Sequence, residues 1–178
     1  MEGDPYGNHM LHLAAVPGWT SPQSTALNVS PEAPQQLFSL RYARIPESYM
    51  EWQARVFGAN AGNSAISGEL ADPDLDDSAN LVEYATGSEA LSPKSSEVLT
   101  VQYGTGNPPT LLFNFGRNLK AAPDIIIALE ESNFLTDWSP VISDSRSEVR
   151  IAEHLSRVTL FVPRDQQRMF YRLTVSKL

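Results

Sequence analysis

The chain contains no cysteine among its 178 residues, which removes a disulfide framework, a thiolate zinc site and a cysteine nucleophile at once. Basic residues are scarce: 13 Lys and Arg stand against 21 Asp and Glu, a formal charge of −8. Phosphate contacts need a basic surface, so no nucleic-acid partner is expected. Histidine is rare too, and His9 and His12 sit near the N-terminus among Gly and Pro, in what reads as a tail, so no transition-metal site is expected. No apolar run is long enough for a spanning helix, so no membrane span is expected. The opening Met-Glu-Gly-Asp-Pro lacks the basic and apolar stretches of a signal peptide, so the chain is either cytosolic or a piece of a longer exported polypeptide.

Catalytic constellations are missing as well. No Gly-x-Ser-x-Gly elbow occurs. Gly104-Thr-Gly106 stands between two predicted strands with no helix after it, which makes it a hairpin turn rather than a phosphate cradle. Glu130-Glu131 reads as a solvated strand end, and a glycosidase carboxylate pair is the weaker alternative. With no convergent acid, base and nucleophile, the chain is not expected to be an enzyme.

What is present is an acidic loop. No Lys or Arg lies between Arg55 and Lys94, whereas Glu69, Asp72, Asp74, Asp76, Asp77, Glu83 and Glu89 all do. In residues 72–83, Asp72, Asp74 and Asp76 occupy positions 1, 3 and 5 of a twelve-residue frame. Ser78 falls at 7, Asn80 at 9 and Glu83 at 12. That is the ligand spacing of an EF-hand-type loop, where oxygen donors wrap a hard cation and a last Glu supplies both its oxygens. The frame predicts calcium held by Asp72, Asp74, Asp76 and Glu83 through side chains. Ser78 would bind through its carbonyl, and Asn80 directly or through a water. Two positions depart from the pattern: position 6, normally a glycine with positive φ, is Asp77, and position 4 is the apolar Leu75. A solvated acidic turn without an ion is the plainer alternative.

An apolar content of 42 % with 19 % charged residues is that of a globular chain, long enough to bury a core as one large or two small domains. Pro46–Phe57 places Tyr49, Trp52, Val56 and Phe57 on one helical face, with Gly58 as a stop. Residues 79–86 read as a second short helix, ended by Gly87, that docks Leu81, Val82 and Tyr84 on the first. From Val98 onward the pattern is β: strands are predicted at 98–103, 110–115, 124–129, 149–151, 157–162 and 169–175. The three consecutive isoleucines of 125–127 predict burial on both faces or a helix-free core strand. Trp52 and Trp138 read as core anchors. The resulting expectation is a mainly β chain in three parts: an N-terminal strand segment (1–45), a helix-loop-helix with an EF-hand-like acidic loop (46–97) and a β-sandwich (98–178).

Sliding the sequence by 133 positions aligns Leu27 with Leu160, Val29 with Val162, Leu37 with Phe170 and Leu40 with Leu173, without a gap. Residues 27–29 and 37–42 thus read as a partial second copy of the closing strand pair. Such strands would leave edges to be covered by the 98–178 sheet or by a neighbouring subunit through strand addition.

Tyr49-Met-Glu-Trp52, Ala71-Asp-Pro-Asp-Leu-Asp-Asp-Ser-Ala-Asn-Leu-Val-Glu-Tyr-Ala-Thr-Gly87, Phe134-Leu-Thr-Asp-Trp138 and Phe170-Tyr-Arg-Leu-Thr-Val175 together resemble a C-terminal module of large exported proteins of Verrucomicrobia and Planctomycetes. That module carries an Asp-Pro-Asp-Gly-Asp-Gly loop, then Asn-Leu-x-Glu-Tyr-Ala-x-Gly and a β-domain. The resemblance covers roughly residues 46–178, and the loop is also similar to dockerin and thrombospondin type 3 calcium repeats. It implies a fibronectin- or immunoglobulin-like sandwich, calcium as cofactor, an extracellular or cell-surface location, and a non-enzymatic role in assembly with other protein subunits or within a larger exported polypeptide. Both family glycines of the loop are replaced here. Two other roles are kept open: a carbohydrate-binding accessory domain, with Trp19, Tyr6 or Tyr103 as a sugar-facing line, and a subunit of a homomeric filament.

Overall fold

The computed structural model describes residues 6–32, 39–93, 98–105, 109–143, 145–164 and 169–178. Strands dominate, and the chain divides into two compact units between Ile45 and Pro46.

The first unit holds β1 (Gly7–Leu11), β2 (Trp19–Thr20), β3 (Thr25–Val29) and β4 (Ala43–Arg44). β1 pairs antiparallel with β3, Gly7 opposite Val29 and Leu11 opposite Thr25, and β2 pairs with β4. The period-two pattern of Thr25, Leu27 and Val29 makes β3 amphipathic, yet none of the described residues of this unit is buried. The expected strand over 37–42 is not seen: 39–42 are irregular, and Leu37 and Phe38 lie outside the described residues. β3 takes β1 as its partner instead.

The second unit begins with α1 (Tyr49–Phe57), α2 (Ser64–Ser67) and α3 (Asn80–Thr86). Ser48 starts α1 with a capping box: its hydroxyl accepts the Glu51 N–H and the Glu51 carboxylate accepts the Ser48 N–H. Pro46 and Glu47 therefore lie outside the helix. Gly87, in the left-handed conformation at φ +80°, closes α3. Tyr49, Trp52 and Phe57 share a core with Leu81, Tyr84 and Ala90, and the aromatic rings meet edge to face, 5.3 Å apart for Tyr49 and Tyr84. Val56 and Val82 are only half-buried.

Next come β5 (Leu99–Gly104), β6 (Thr110–Asn118), β7 (Ile125–Ser132), β8 (Ser139–Pro140), β9 (Ser145–Ala152), β10 (Leu155–Pro163) and β11 (Phe170–Lys177). They form a four-stranded antiparallel sheet, β5-β6-β10-β9, and a three-stranded one, β11-β7-β8. Along β6, alternate residues Leu111, Phe113 and Phe115 are buried, and Val162, Leu160 and Val158 of β10 stand opposite them. Leu129 of β7 joins this core, and the Tyr171 ring of β11 lies 4.6 Å from that of Phe113. Both sheets thus share one apolar layer.

Three expectations need correction. The closing strands β10 and β11 are not a pair; they belong to different sheets. The isoleucine triplet is not buried on both faces, because Ile126 is 41 % exposed while Ile125 and Ile127 are half-buried on the other side. Trp138 is no core anchor either: it is half-exposed on the turn after β7, with the Arg172 guanidinium 4.2 Å over its ring. The short β8 and the helix α2 carry no apolar periodicity, and neither was expected. β9 extends beyond the predicted Val149–Ile151 at both ends, on the N-terminal side through polar residues, and every residue of it is exposed.

α3 is fixed to the β layers at three points. Asn118 Nδ2 donates to the Tyr84 carbonyl at 2.8 Å. The Tyr84 hydroxyl donates to the Glu47 carbonyl and accepts the Ala122 N–H at 2.8 Å. Gly116 lies against the carbonyl of Thr86.

Candidate metal centre

The segment between α2 and α3 is folded around its own carboxylates. Asp72 Oδ1 accepts the N–H groups of Leu75 (2.8 Å) and Asp76 (3.2 Å), and its Oδ2 accepts that of Asp77 (3.0 Å). Asp76 Oδ1 accepts the Ser78 N–H at 2.9 Å. The loop is then closed by main chain: the Asn80 N–H donates to Ala71 and the Leu81 N–H to Glu69. Asx turns of this kind are what Asp does wherever it meets free N–H groups, so they do not by themselves mark a site.

Three other observations do. Asp72, Asp74 and Asp76 each bring a carboxylate oxygen within 4.8 Å of the other two. Oxygens that share one cation at about 2.3–2.6 Å can stand no further apart than roughly that distance. Glu83, in the first turn of α3, is fully buried, and both its carboxylate oxygens lack a hydrogen-bond partner among the described residues. Asn80 is equally buried. Its Nδ2 donates to the carbonyls of Ile66 (2.9 Å) and Gly68 (2.8 Å), while its Oδ1 has no partner among the described residues. A fully buried carboxylate without a donor is among the costliest arrangements a fold can hold.

The electrostatics report the same imbalance. Burial, and then the charges of Asp74, Asp76 and Asp72, push the Glu83 carboxyl up to about 8. Asp74 is raised by burial first and by Asp76 next. Lys177, on β11, pairs with Glu69 and lies 4.5 Å over the Tyr49 ring.

The backbone meets the two departures from the loop pattern directly. Leu75 and Asp77, at positions 4 and 6, hold φ of +62° and +68°. The loop keeps the glycine conformation with side chains that resist it.

Among the sequence-predicted residues, Asp72, Asp74 and Asp76 are thus brought together, and Glu83 and Asn80 present unpartnered oxygens in the same acidic field. Ser78 takes part through its N–H to Asp76. The sequence reading missed the supports. Ile66 and Gly68 orient Asn80. The Ser67 carbonyl accepts the Tyr49 hydroxyl at 3.0 Å and Gln53 Nε2 at 2.6 Å. Their main-chain atoms carry no sequence signal; only Asn63, which caps α2 through Ala65, marks that helix at all.

An all-oxygen donor set with this much uncompensated negative charge can hold a metal ion of the hard class. No family model, no curated protein and no solved structure matches the chain. Among the described residues, no helix is long and apolar enough to cross a membrane.

Proposed function

We propose that this chain is a non-enzymatic, calcium-stabilised interaction module: a calcium-clasped helix-loop-helix seated on a fibronectin-like β-sandwich, working in an extracellular or surface assembly. The observation that carries the reading is Glu83, whose two buried oxygens have no hydrogen-bond donor among the described residues and lie in the field of Asp74, Asp76 and Asp72. Calcium would be held by Asp72, Asp74, Asp76, Asn80 and Glu83, with the Ser78 carbonyl completing the set. Its charge would remove the repulsion that these residues impose on one another.

The role is mechanical. α3 carries Asn80 and Glu83 at one end and reaches β6 at the other through Tyr84 and Asn118, so an ion in the loop stiffens the joint between loop and sheets. Two sheets sharing the Phe113 layer support the sandwich reading.

Isothermal calorimetry and thermal melting with calcium test this directly. The wild type should bind one calcium ion and melt several degrees higher in its presence. Asp74→Ala combined with Glu83→Ala should show no calcium heat and no chelator-sensitive melting. A wild-type melting temperature indifferent to both calcium and chelator would remove the ion from the account.

A further inference from the structure

The three-stranded sheet has a gap. β8 is two residues long and pairs only with Glu130 and Glu131 of β7; Val141 extends the contact with one bond, its N–H to the Leu129 carbonyl at 2.9 Å. In an antiparallel ladder the N–H and C=O of one residue point to the same flank, and every second residue repeats that direction. Leu129 faces the β8 flank, so Ile127 faces it as well. Among the described residues nothing pairs with Ile127 there, and Ile125 donates its N–H to the Ala122 carbonyl at 3.2 Å.

A cavity of about 310 Å³ lies at this gap, lined by Ala85, Phe115, Ile125 and Ile127, with Arg117 and Arg146 at its side. The two guanidiniums share one carboxylate: Glu148 accepts from Arg117 at 3.2 Å, from Arg146 at 2.9 Å and from the Ser156 hydroxyl at 2.6 Å. Glu148 is therefore saturated, and its carboxyl is held below the usual range, by the Ser156 hydroxyl first. Two cations on one anion leave a surplus positive charge beside an apolar hollow, in a chain whose formal charge is −8.

We infer that the flank of β7 at Ile125–Ala128 is a strand-accepting groove for an extended peptide of a partner protein, with apolar residues alternating on one face and a carboxylate among them. The unpaired Ile127 main chain would supply the ladder bonds, the cavity would take an apolar side chain, and the Arg117–Arg146 pair would take the acid. Charge complementarity selects the acid, and the open ladder selects a peptide over a small organic anion, which would use the cavity and the arginines but leave Ile127 unpaired. The groove uses none of the metal-centre residues.

The probe is the blocked hexapeptide acetyl-Thr-Val-Thr-Glu-Thr-Val-amide, with a Gln-for-Glu version and octanoate as controls, followed by NMR amide exchange and chemical shifts on the whole protein. In the free protein the Ile127 amide should exchange quickly. The Glu peptide should slow it tenfold or more and shift the Ile125 and Ile127 methyls saturably. The Gln peptide should bind at least fivefold more weakly, and Arg146→Gln should weaken the Glu peptide by a similar factor. Fast Ile127 exchange and the peptide comparison are both read on the wild type, so a poorly folded variant leaves the test intact. An Ile127 amide already protected in the free protein, no saturable peptide binding, or indifference to the Glu-to-Gln change would each overturn the assignment. So would octanoate protecting the Ile127 amide as well as the peptide does.

Discussion

Gly116 lies directly against the carbonyl oxygen of Thr86: a Cβ on residue 116 would stand 2.4 Å from that atom. No carbon and oxygen approach so closely without bonding, so the last turn of α3 reaches β6 only because that position has no side chain. Gly116→Ala should therefore lift α3 from the sheet and destabilise the protein by about 1–3 kcal/mol, the usual cost of overpacking. Because α3 also carries Asn80 and Glu83, calcium binding should weaken in parallel. Urea denaturation with and without calcium checks both effects, and an unchanged midpoint would show that the helix can shift freely.

The left-handed residues of the loop offer an opposite test. A non-glycine residue in that conformation costs about 1–2 kcal/mol, and the greater unfolded-state freedom of glycine offsets about 0.5–1 kcal/mol of any gain. Leu75→Gly should thus raise stability by about 0.5–1 kcal/mol. Asp77→Gly should do less, since Asp tolerates positive φ better. Leu75 is 83 % exposed, so no packing is lost on its removal. A fall in melting temperature for Leu75→Gly would mean that the loop adopts another conformation in solution.

pH should act through Glu83. Its folded-state pKa is raised to about 8, above the ordinary carboxyl value it has in the unfolded chain. Between those two values the folded state holds the extra proton. In chelator, stability is therefore greatest at mildly acid pH and falls as pH rises towards 8, by at most about 1.4 kcal/mol per pH unit. Calcium should reverse the trend, because it displaces that proton and binds more tightly as pH rises. Glu83→Gln should flatten the metal-free profile; a wild type equally stable from pH 5 to 8 in chelator contradicts the burial of a proton-binding carboxyl.

Asn80 separates orientation from ligation. Asn80→Asp keeps an oxygen for the ion but loses both N–H donors, which leaves the Ile66 and Gly68 carbonyls without them. Supports of this kind are typically worth 10–100-fold in metal affinity, so calcium binding should fall by about that factor despite the added negative charge. Calorimetry that found tighter binding would show charge to outweigh positioning here.

The candidate metal centre was legible in the sequence to the extent that it is local. Asp72 to Glu83 are neighbours in the chain, and the twelve-residue spacing survives in the fold. Its supports were not legible, because the carbonyls of Ile66 and Gly68 reach Asn80 through tertiary packing. The strands followed the same division. Leu111, Phe113 and Phe115 announce β6 by alternation, whereas sheet membership depends on pairings between residues far apart, which is why β10 and β11 looked like partners. β8 is too short for any pattern, and the exposed Ile126 shows that a run of isoleucines speaks of β-propensity more clearly than of burial.

β9 bounds the four-stranded sheet with Arg146, Glu148 and Arg150 on a ribbon wholly open to water. Another backbone laid along it would have to strip hydration from those ionic groups. The opposite border, β5, carries none. Whatever lateral growth this layer permits is consequently one-sided: two molecules could join border to border, and the pair would then present only charged ribbons at its ends.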